Sequence, residues 1–495
     1  MMNTLENQKI PPIREQRHPE TSLAHGSTLC RRKNGGRGCP VSSGANRTFT
    51  QGSICPLLPA LGIMMSLPET VVLMHGAVGC GTCAMGNNVN VRAGNASRGK
   101  PLEDAVWLST SLNEINVIHG GDGKLYEAIL EAYENHKPKV ILAVSGCLPG
   151  VIGDDIDQVA AKASEKVGAK VLPVHCEGFK SRFMATAYDV VYHALGRGLM
   201  PDPAEVGEKL PKTINVMNVG SMGIADEREL ARLLAEIGLE ANFFPVFAHP
   251  ESFGLAARAA LSVSVCPTHD DYFLTHLKEK HGVPFLIRHM PIGMANTSAW
   301  LVGIGEAMGL EKEARAVAER EERELGEALL EFAPSFRGKK AFLSAGEYRS
   351  LATASLMREL GFRISAIRSF HYDGFAEVEM EKLAKGEDEI VFNVANVQPF
   401  EEANLLKRLK PDIFLGHMHG NGTAARLGIP AQVIYNNGYA YMGYKGAYDL
   451  ARRVRRRLKN RAFYENLGKD ARLPYASSWY GKDPFSMING KEGAA

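Results

Sequence analysis

No stretch of this 495-residue chain approaches the roughly 18 consecutive apolar residues of a membrane span. The opening MMNTLENQKIPPIREQRHPE also lacks the apolar segment of an export signal. Both absences point to a cytoplasmic protein with no membrane partner. Charge of one sign is not in excess either: 57 Lys and Arg face 55 Asp and Glu, a formal net charge of +2. That removes the electrostatic footprint of a nucleic-acid binder. Eight cysteines are too few and too scattered for a secreted disulfide scaffold. There is no GxxxxGK loop followed by Ser or Thr, and no convincing GxGxxG after a predicted strand, so nucleotide binding by this chain is unsupported. Any energy source has to come from another protein.

What is present is an ordinary globular composition, 45% hydrophobic and 23% charged, with length for about three domains. From residue 50 onward, short β-branched runs alternate with helical patterns, the signature of βαβ units and parallel sheets. One set holds 71–75, 115–119 (INVIH), 139–145 and 170–175, with amphipathic segments near 124–136, 154–167 and 180–198. After a linker-like PDPAEVGEKLPK, a second holds 214–220, 242–247, 260–265 and 284–289, closed by a charge-laced helix over 311–332. The third holds 340–345, 363–368, 389–394, 412–416 and 432–436, then a basic helix near 442–461. The expectation is three doubly wound α/β domains over 50–205, 206–335 and 336–495, the last ending in the basic helix and a tail. Residues 1–49 are expected to form an extended N-terminal arm.

In open parallel sheets, ligands bind beyond the carboxyl ends of the strands. Cys80 follows the first predicted strand in His75-Gly-Ala-Val-Gly-Cys80-Gly, Cys147 follows the third in Ser145-Gly-Cys147-Leu-Pro-Gly, and Cys266 directly follows Ser-Val-Ser-Val. Cys55 precedes the first strand. Only Cys80 and Cys83 make a CxxC pair, a poor fit to structural zinc. Single thiolates on Gly-flanked loops suit an iron–sulfur cluster. A Cys in an α/β protein is more often a small buried hydrophobe, and spacing alone leaves both readings open.

The local sequences go further. Cys55, the His75–Cys80 element, Asn113-Glu-Ile-Asn-Val-Ile-His-Gly-Gly-Asp122, Cys147-Leu-Pro-Gly-Val-Ile-Gly-Asp154-Asp155 and His175-Cys-Glu-Gly-Phe179 resemble, in order, the α-type subunit of nitrogenase component 1. Cys266-Pro-Thr-His-Asp-Asp-Tyr, Lys410-Pro-Asp and Leu427-Gly-Ile-Pro430 continue the resemblance. It implies three Rossmann-like domains around a central cofactor pocket. It implies that Cys55, Cys80 and Cys147 hold this chain's half of an interfacial P-cluster of the 8Fe-7S type, and that Cys266 binds the terminal iron of a large iron–sulfur cofactor. A homologous β-type subunit would complete an α2β2 heterotetramer, served by an ATP-hydrolysing iron protein. That would account for the absent phosphate loop.

The departures bear on activity. Met184 and Tyr188 stand where the resemblance places a Gln and a His facing the reactive irons, and Tyr435 stands where it places the heterometal's histidine ligand. A cofactor without molybdenum is implied, and dinitrogen reduction is not expected. His417 and His419, in Gly416-His417-Met-His419-Gly420, are candidates for the pocket, as are His371 and His269; the alternative for each is a surface or capping histidine. Cys30 and Cys39 resemble the cysteine-bearing arm of the family's cofactor-assembly scaffold or belong to a flexible basic arm. Cys83 and Cys176 read as structural thiols. Arg452–Arg461, seven basic residues in ten, reads as a solvated helical face or an acidic docking surface. Of two function classes, a reductase is favoured over the assembly scaffold; within it the sequence most resembles methylthio-alkane reductase, which implies a small organic sulfur substrate, and a pocket of Met and Tyr is consistent with a thioether. Tetrapyrrole-reducing relatives lack the cysteine matched by Cys266.

Overall fold

The computed structural model describes residues 27–33, 55–100, 105–180, 184–371, 373–385, 389–395, 398–434 and 438–481. Cys39 and Tyr435 lie outside this set. In the predicted arm, β1 (Ser27–Lys33) is a sheet strand rather than a free extension. The first parallel sheet contains β2 (Thr70–His75), β3 (Ala105–Ser109), β4 (Val140–Ser145) and β5 (Lys170–His175), in the order β3-β2-β4-β5. All six residues of both β2 and β4 are buried, which is why these strands read as unbroken apolar runs: helices cover both faces. The second sheet holds β6 (Leu210–Met217), β7 (Glu240–Phe244), β8 (Ala259–Val263) and β9 (Phe285–Leu286), ordered β7-β6-β8-β9. The third holds β10 (Lys340–Ala345), β11 (Arg363–Ser369), β12 (Glu389–Ala395), β13 (Ile413–Gly416) and β14 (Ala431–Val433). Its order is β1-β12-β11-β10-β13-β14, with β1 antiparallel to β12 at the edge and Cys30 opposite Phe392. The fold is α/β, built from three doubly wound, Rossmann-like sheets.

One predicted strand is a helix. Ile115–His119 belongs to the helix Glu114–His119, because Asn113 caps it: its side chain accepts from Ile115 N and Asn116 N, and the Asn116 side chain accepts from Asn113 N. The strand in that place is β3, Ala105–Ser109. The helix Glu311–Leu329 buries only Ala314, Val317, Ala318 and Leu325, consistent with a largely solvated face.

In each sheet the first strand of the parallel set is flanked on both sides by later strands, so the chain reverses direction across the sheet there. These points fall between β2 and β4, between β6 and β8, and between β10 and β13. One apolar core spans the first two sheets, with Val72 and Val140 packed in the same cluster as Phe244 and Phe273. Another spans the second and third, joining Leu261 and Val263 to Leu343 and Leu415. The carboxyl ends of the sheets are thereby held around a common interior.

Candidate functional site

Three cysteines gather at the first reversal point. The register pairs His75 with Ser145, and Gly146 N donates to His75 O at 2.9 Å, so the Cys80 and Cys147 loops leave the sheet side by side. A Cβ built on Gly146 would lie 4.0 Å from Cys80 Sγ, and one built on Gly178 would lie 3.2 Å from Cys55 Sγ and 3.6 Å from Cys147 Sγ. Each thiol also sits at a helix start. Cys55 precedes the helix Leu57–Met64, Cys80 caps the helix Gly81–Ser97, and Cys147 opens the helix Cys147–Ile152. At Cys55 the backbone N–H of Leu57 donates to the sulfur, which favours its anionic form. Burial, then neighbouring thiols, pushes the Cys80 thiol up; burial raises Cys55 as well. Such a group becomes thiolate when a metal supplies the compensating charge. Cys55 and Cys147 are exposed, and so are Val78 (69%), Val151 (72%) and Phe179 (55%) beside them. Apolar side chains thus flank the exposed thiols.

A buried network fixes the loops behind the thiols. His75 Nε2 lies 2.9 Å from Asp154 Oδ2 and Nδ1 lies 3.1 Å from Thr110 Oγ1. Burial is the largest influence on His75 and lowers its pKa, so the ring is neutral: Nε2–H donates to the carboxylate and Nδ1 accepts from the threonine hydroxyl. Asp154 Oδ1 also accepts from Gly121 N at 2.8 Å. Residues after Cys147 are thereby tied to the strand before Cys80.

The second and third reversal points face one cavity of about 140 Å³, roughly ten times the space one water needs. Cys266 reaches it from the end of β8. It is 5% exposed and caps the 15-residue helix Pro267–His281, and its backbone N–H donates to Asp270 Oδ2 at 2.9 Å. Burial pushes the Cys266 thiol well up. Val219, Gly220 and Ser221 enter after β6; Glu347, Tyr348 and Arg349 follow β10; His417 directly follows β13. Arg349 is held by Nη1 to Ile434 O at 3.1 Å and Nη2 to Ser221 Oγ at 2.7 Å, a buried cation beside the lining. The first unit contributes Met184 and Tyr188, whose ring stacks on His269 with centroids 3.6 Å apart. The helices that begin at Cys55 and Cys80 carry Ile63, Asn87 and Asn90 to the same wall, so they run from the thiol edge to the cavity.

A family model for nitrogenase component 1 type oxidoreductases matches residues 55–459. The chain belongs to the nitrogenase component 1 family. It is 28% identical over 403 residues, 79% of this chain and 80% of the relative, to the nitrogenase iron–molybdenum cofactor biosynthesis protein NifE of Methanococcus maripaludis. It is 27% identical over 414 residues, 80% of this chain and 86% of the relative, to the nitrogenase molybdenum–iron protein alpha chain of Methanothermobacter marburgensis. The structure of nitrogenase Cp1 at pH 6.5 has the same fold, with a TM-score of 0.74 at 20% identity over 92% of this chain and 96% of that one.

The nitrogenase component 1 family binds iron–sulfur clusters, and the residues fit such groups in two places. At the edge, soft thiol donors converge where Gly178 leaves a cradle that a side chain would fill. Among the described residues, no three of His, Cys, Asp and Glu are placed to hold a single metal ion, and thiols spread along an edge suit a multinuclear cluster better. In the cavity, a buried thiol, imidazoles and the Arg349 cation suit an anionic cluster. Cys266, Met184, Tyr188, His269, His371 and His417 all line that one cavity. His419 lies in the first turn of the helix Met418–Arg426, its side chain outside the described set. Cys176 is buried in the core. Arg349, Phe247 and Asn87 escaped the sequence reading because each sits in a segment with no chemical motif; Phe247, at the end of the predicted strand 242–247, and Arg349, shortly after the predicted strand 340–345, carried only a positional signal. No described helix is long and apolar enough to cross a membrane.

Proposed function

We propose that this chain is the catalytic α-type subunit of a nitrogenase-like reductase that cleaves C–S bonds of small methylthio-alkanes. The observation that carries the reading is the composition of the cavity wall, which brings together Cys266, Met184, the Tyr188–His269 stack, His371 and His417. An iron–sulfur cofactor bound there would supply low-potential electrons and a sulfur-seeking metal face. Cys266 would anchor it, with the helix N-terminus favouring the thiolate, and Arg349 would offset its negative charge. Met184 and Tyr188 give the reacting region an apolar lining that excludes water and accepts an uncharged thioether. His371 and His417 are the groups positioned to hold protons; cleavage to a thiol and a hydrocarbon consumes electrons and protons in equal number. Cys55, Cys80 and Cys147 would share a second cluster with a β-type partner seated on the apolar rim of Val78, Val151 and Phe179. An ATP-hydrolysing iron protein would supply the electrons.

A second reading, a scaffold on which the cofactor is completed and handed on, draws support from the 28% identity to a cofactor biosynthesis protein and from Cys30 in the N-terminal segment. The assembled complex, supplied anaerobically with its iron protein, ATP and a methylthio-alkane, should release methanethiol or the matching thiol and form no ammonia from labelled dinitrogen. Cluster transfer to an apo-reductase with no thiol released would instead establish the scaffold.

A further inference from the structure

Protons consumed in the cavity have to come from solvent, and one pair of side chains lies between the two. His289 stands three residues past β9, and the residue after it, Met290, lines the cavity. The His289 ring lies 5.9 Å, centroid to centroid, from that of Tyr348, which is also a lining residue. Its Nε2 lies 3.2 Å from Glu379 Oε1, on the helix Glu377–Ala384 of the third unit, and the same oxygen accepts from Lys382 Nζ at 2.6 Å. The His289 and Glu379 side chains keep 18% and 11% of their surface in solvent, whereas Lys382 is largely exposed. The three therefore make a file from the molecular surface to the cavity wall. Burial is the largest influence on His289 and holds its pKa below the usual histidine value; Glu379 acts the other way, and Lys382 and Arg288 add to the lowering. Arg288 has its own carboxylate, Glu306 Oε2 at 4.0 Å from Nη2. At pH 7 the His289 ring is thus neutral at rest, with a carboxylate beside it to stabilise a transient imidazolium.

We propose that His289, coupled to Glu379, is the relay through which protons from solvent enter the cavity. The inference rests on reading that cavity as the place where C–S cleavage consumes protons. Each passage moves one proton and no electron. Glu379, protonated from solvent, gives its proton to His289 Nε2; the imidazolium releases the proton on Nδ1 toward the wall at Tyr348; a ring flip and renewed protonation of the carboxylate reset the pair. Two passages supply the two protons that, with two electrons from the iron protein, turn a thioether into a thiol and a hydrocarbon.

The test uses the anaerobically assembled complex with its iron protein, ATP and a methylthio-alkane. His289→Gln and Glu379→Gln should lower the maximal rate of thiol release by about a hundredfold, leave the KM for the thioether unchanged and raise the solvent deuterium isotope effect. Iron content and the EPR signals should match the parent, and added imidazole should restore part of the His289→Gln rate. His249→Gln, which removes a histidine paired with Glu69 away from the cavity, should behave as the parent. The inference alone is overturned if the parent releases thiol and both relay variants keep its rate and isotope effect. It is also overturned if they lose rate only together with iron or EPR signal, which is the mark of a structural role. A parent complex that transfers its cluster and releases no thiol would overturn the reductase reading and the inference with it.

Discussion

Glu177 lies directly behind the thiol edge, buried next to Cys176. Ser145 Oγ donates to its Oε1 at 2.9 Å, Lys180 Nζ lies at 3.1 Å and His175 Nδ1 at 3.5 Å. Burial alone would raise the carboxyl, but hydrogen bonds from His175, the backbone, Lys180 and Ser145 outweigh it and hold the pKa at about 2. A depressed carboxylate contributes stability that is complete above its unfolded value of 4.5 and is lost as pH falls toward 2. Glu177→Gln should therefore cost about 1–3 kcal/mol at pH 7. The urea midpoints of parent and variant should stay apart above pH 4.5 and converge as pH drops from 4.5 toward 2. Parallel midpoints across that range would show that the ionised form contributes nothing. The Cys-Glu-Gly-Phe motif marked Glu177 in the sequence, but not its partners: Ser145 and Lys180 enter from separate positions that only the β4–β5 pairing unites.

Among elements, the helices Leu57–Met64 and Gly81–Ser97 matter most, since both begin at thiols and end at the cavity. Gly94 lies in the second of them, and a Cβ there would sit 2.2 Å from Phe247 Cζ, whose ring lines the cavity and carries the Arg98 guanidinium 4.0 Å above it. Gly→Ala inside an exposed helix normally stabilises by about 1 kcal/mol. Here overpacking reverses the sign, and Gly94→Ala should destabilise by about 1–3 kcal/mol in thermal or urea melts. A stabilised variant would mean that Phe247 moves freely. Strands and long helices were legible from hydrophobic runs and amphipathic periods. The helix Glu114–His119 was not, because Ile-Asn-Val-Ile-His alternates like a strand and its fate is decided by the reciprocal Asn113–Asn116 cap. The sheet pairing of β1 was equally hidden, since an edge strand needs only one partner and leaves little pattern.

Across the whole molecule, one rule places the chemistry. Each sheet reverses direction at the first strand of its parallel set, and the loops leaving those points carry Cys80 and Cys147, then Cys266, then Arg349 and His417. The sequence showed the cysteines at strand ends; the opposed cavity walls depend on how three sheets pack, which no local pattern records. The central claim is that Cys266 anchors a catalytic cofactor distinct from the cluster at the thiol edge. Its most direct test is Cys266→Ala in the anaerobically purified complex, measured by iron content, EPR and thiol release from a methylthio-alkane. The account predicts loss of the larger cluster and of thiol release, with the edge cluster's signal intact; a variant that releases thiol at the parental rate would contradict it.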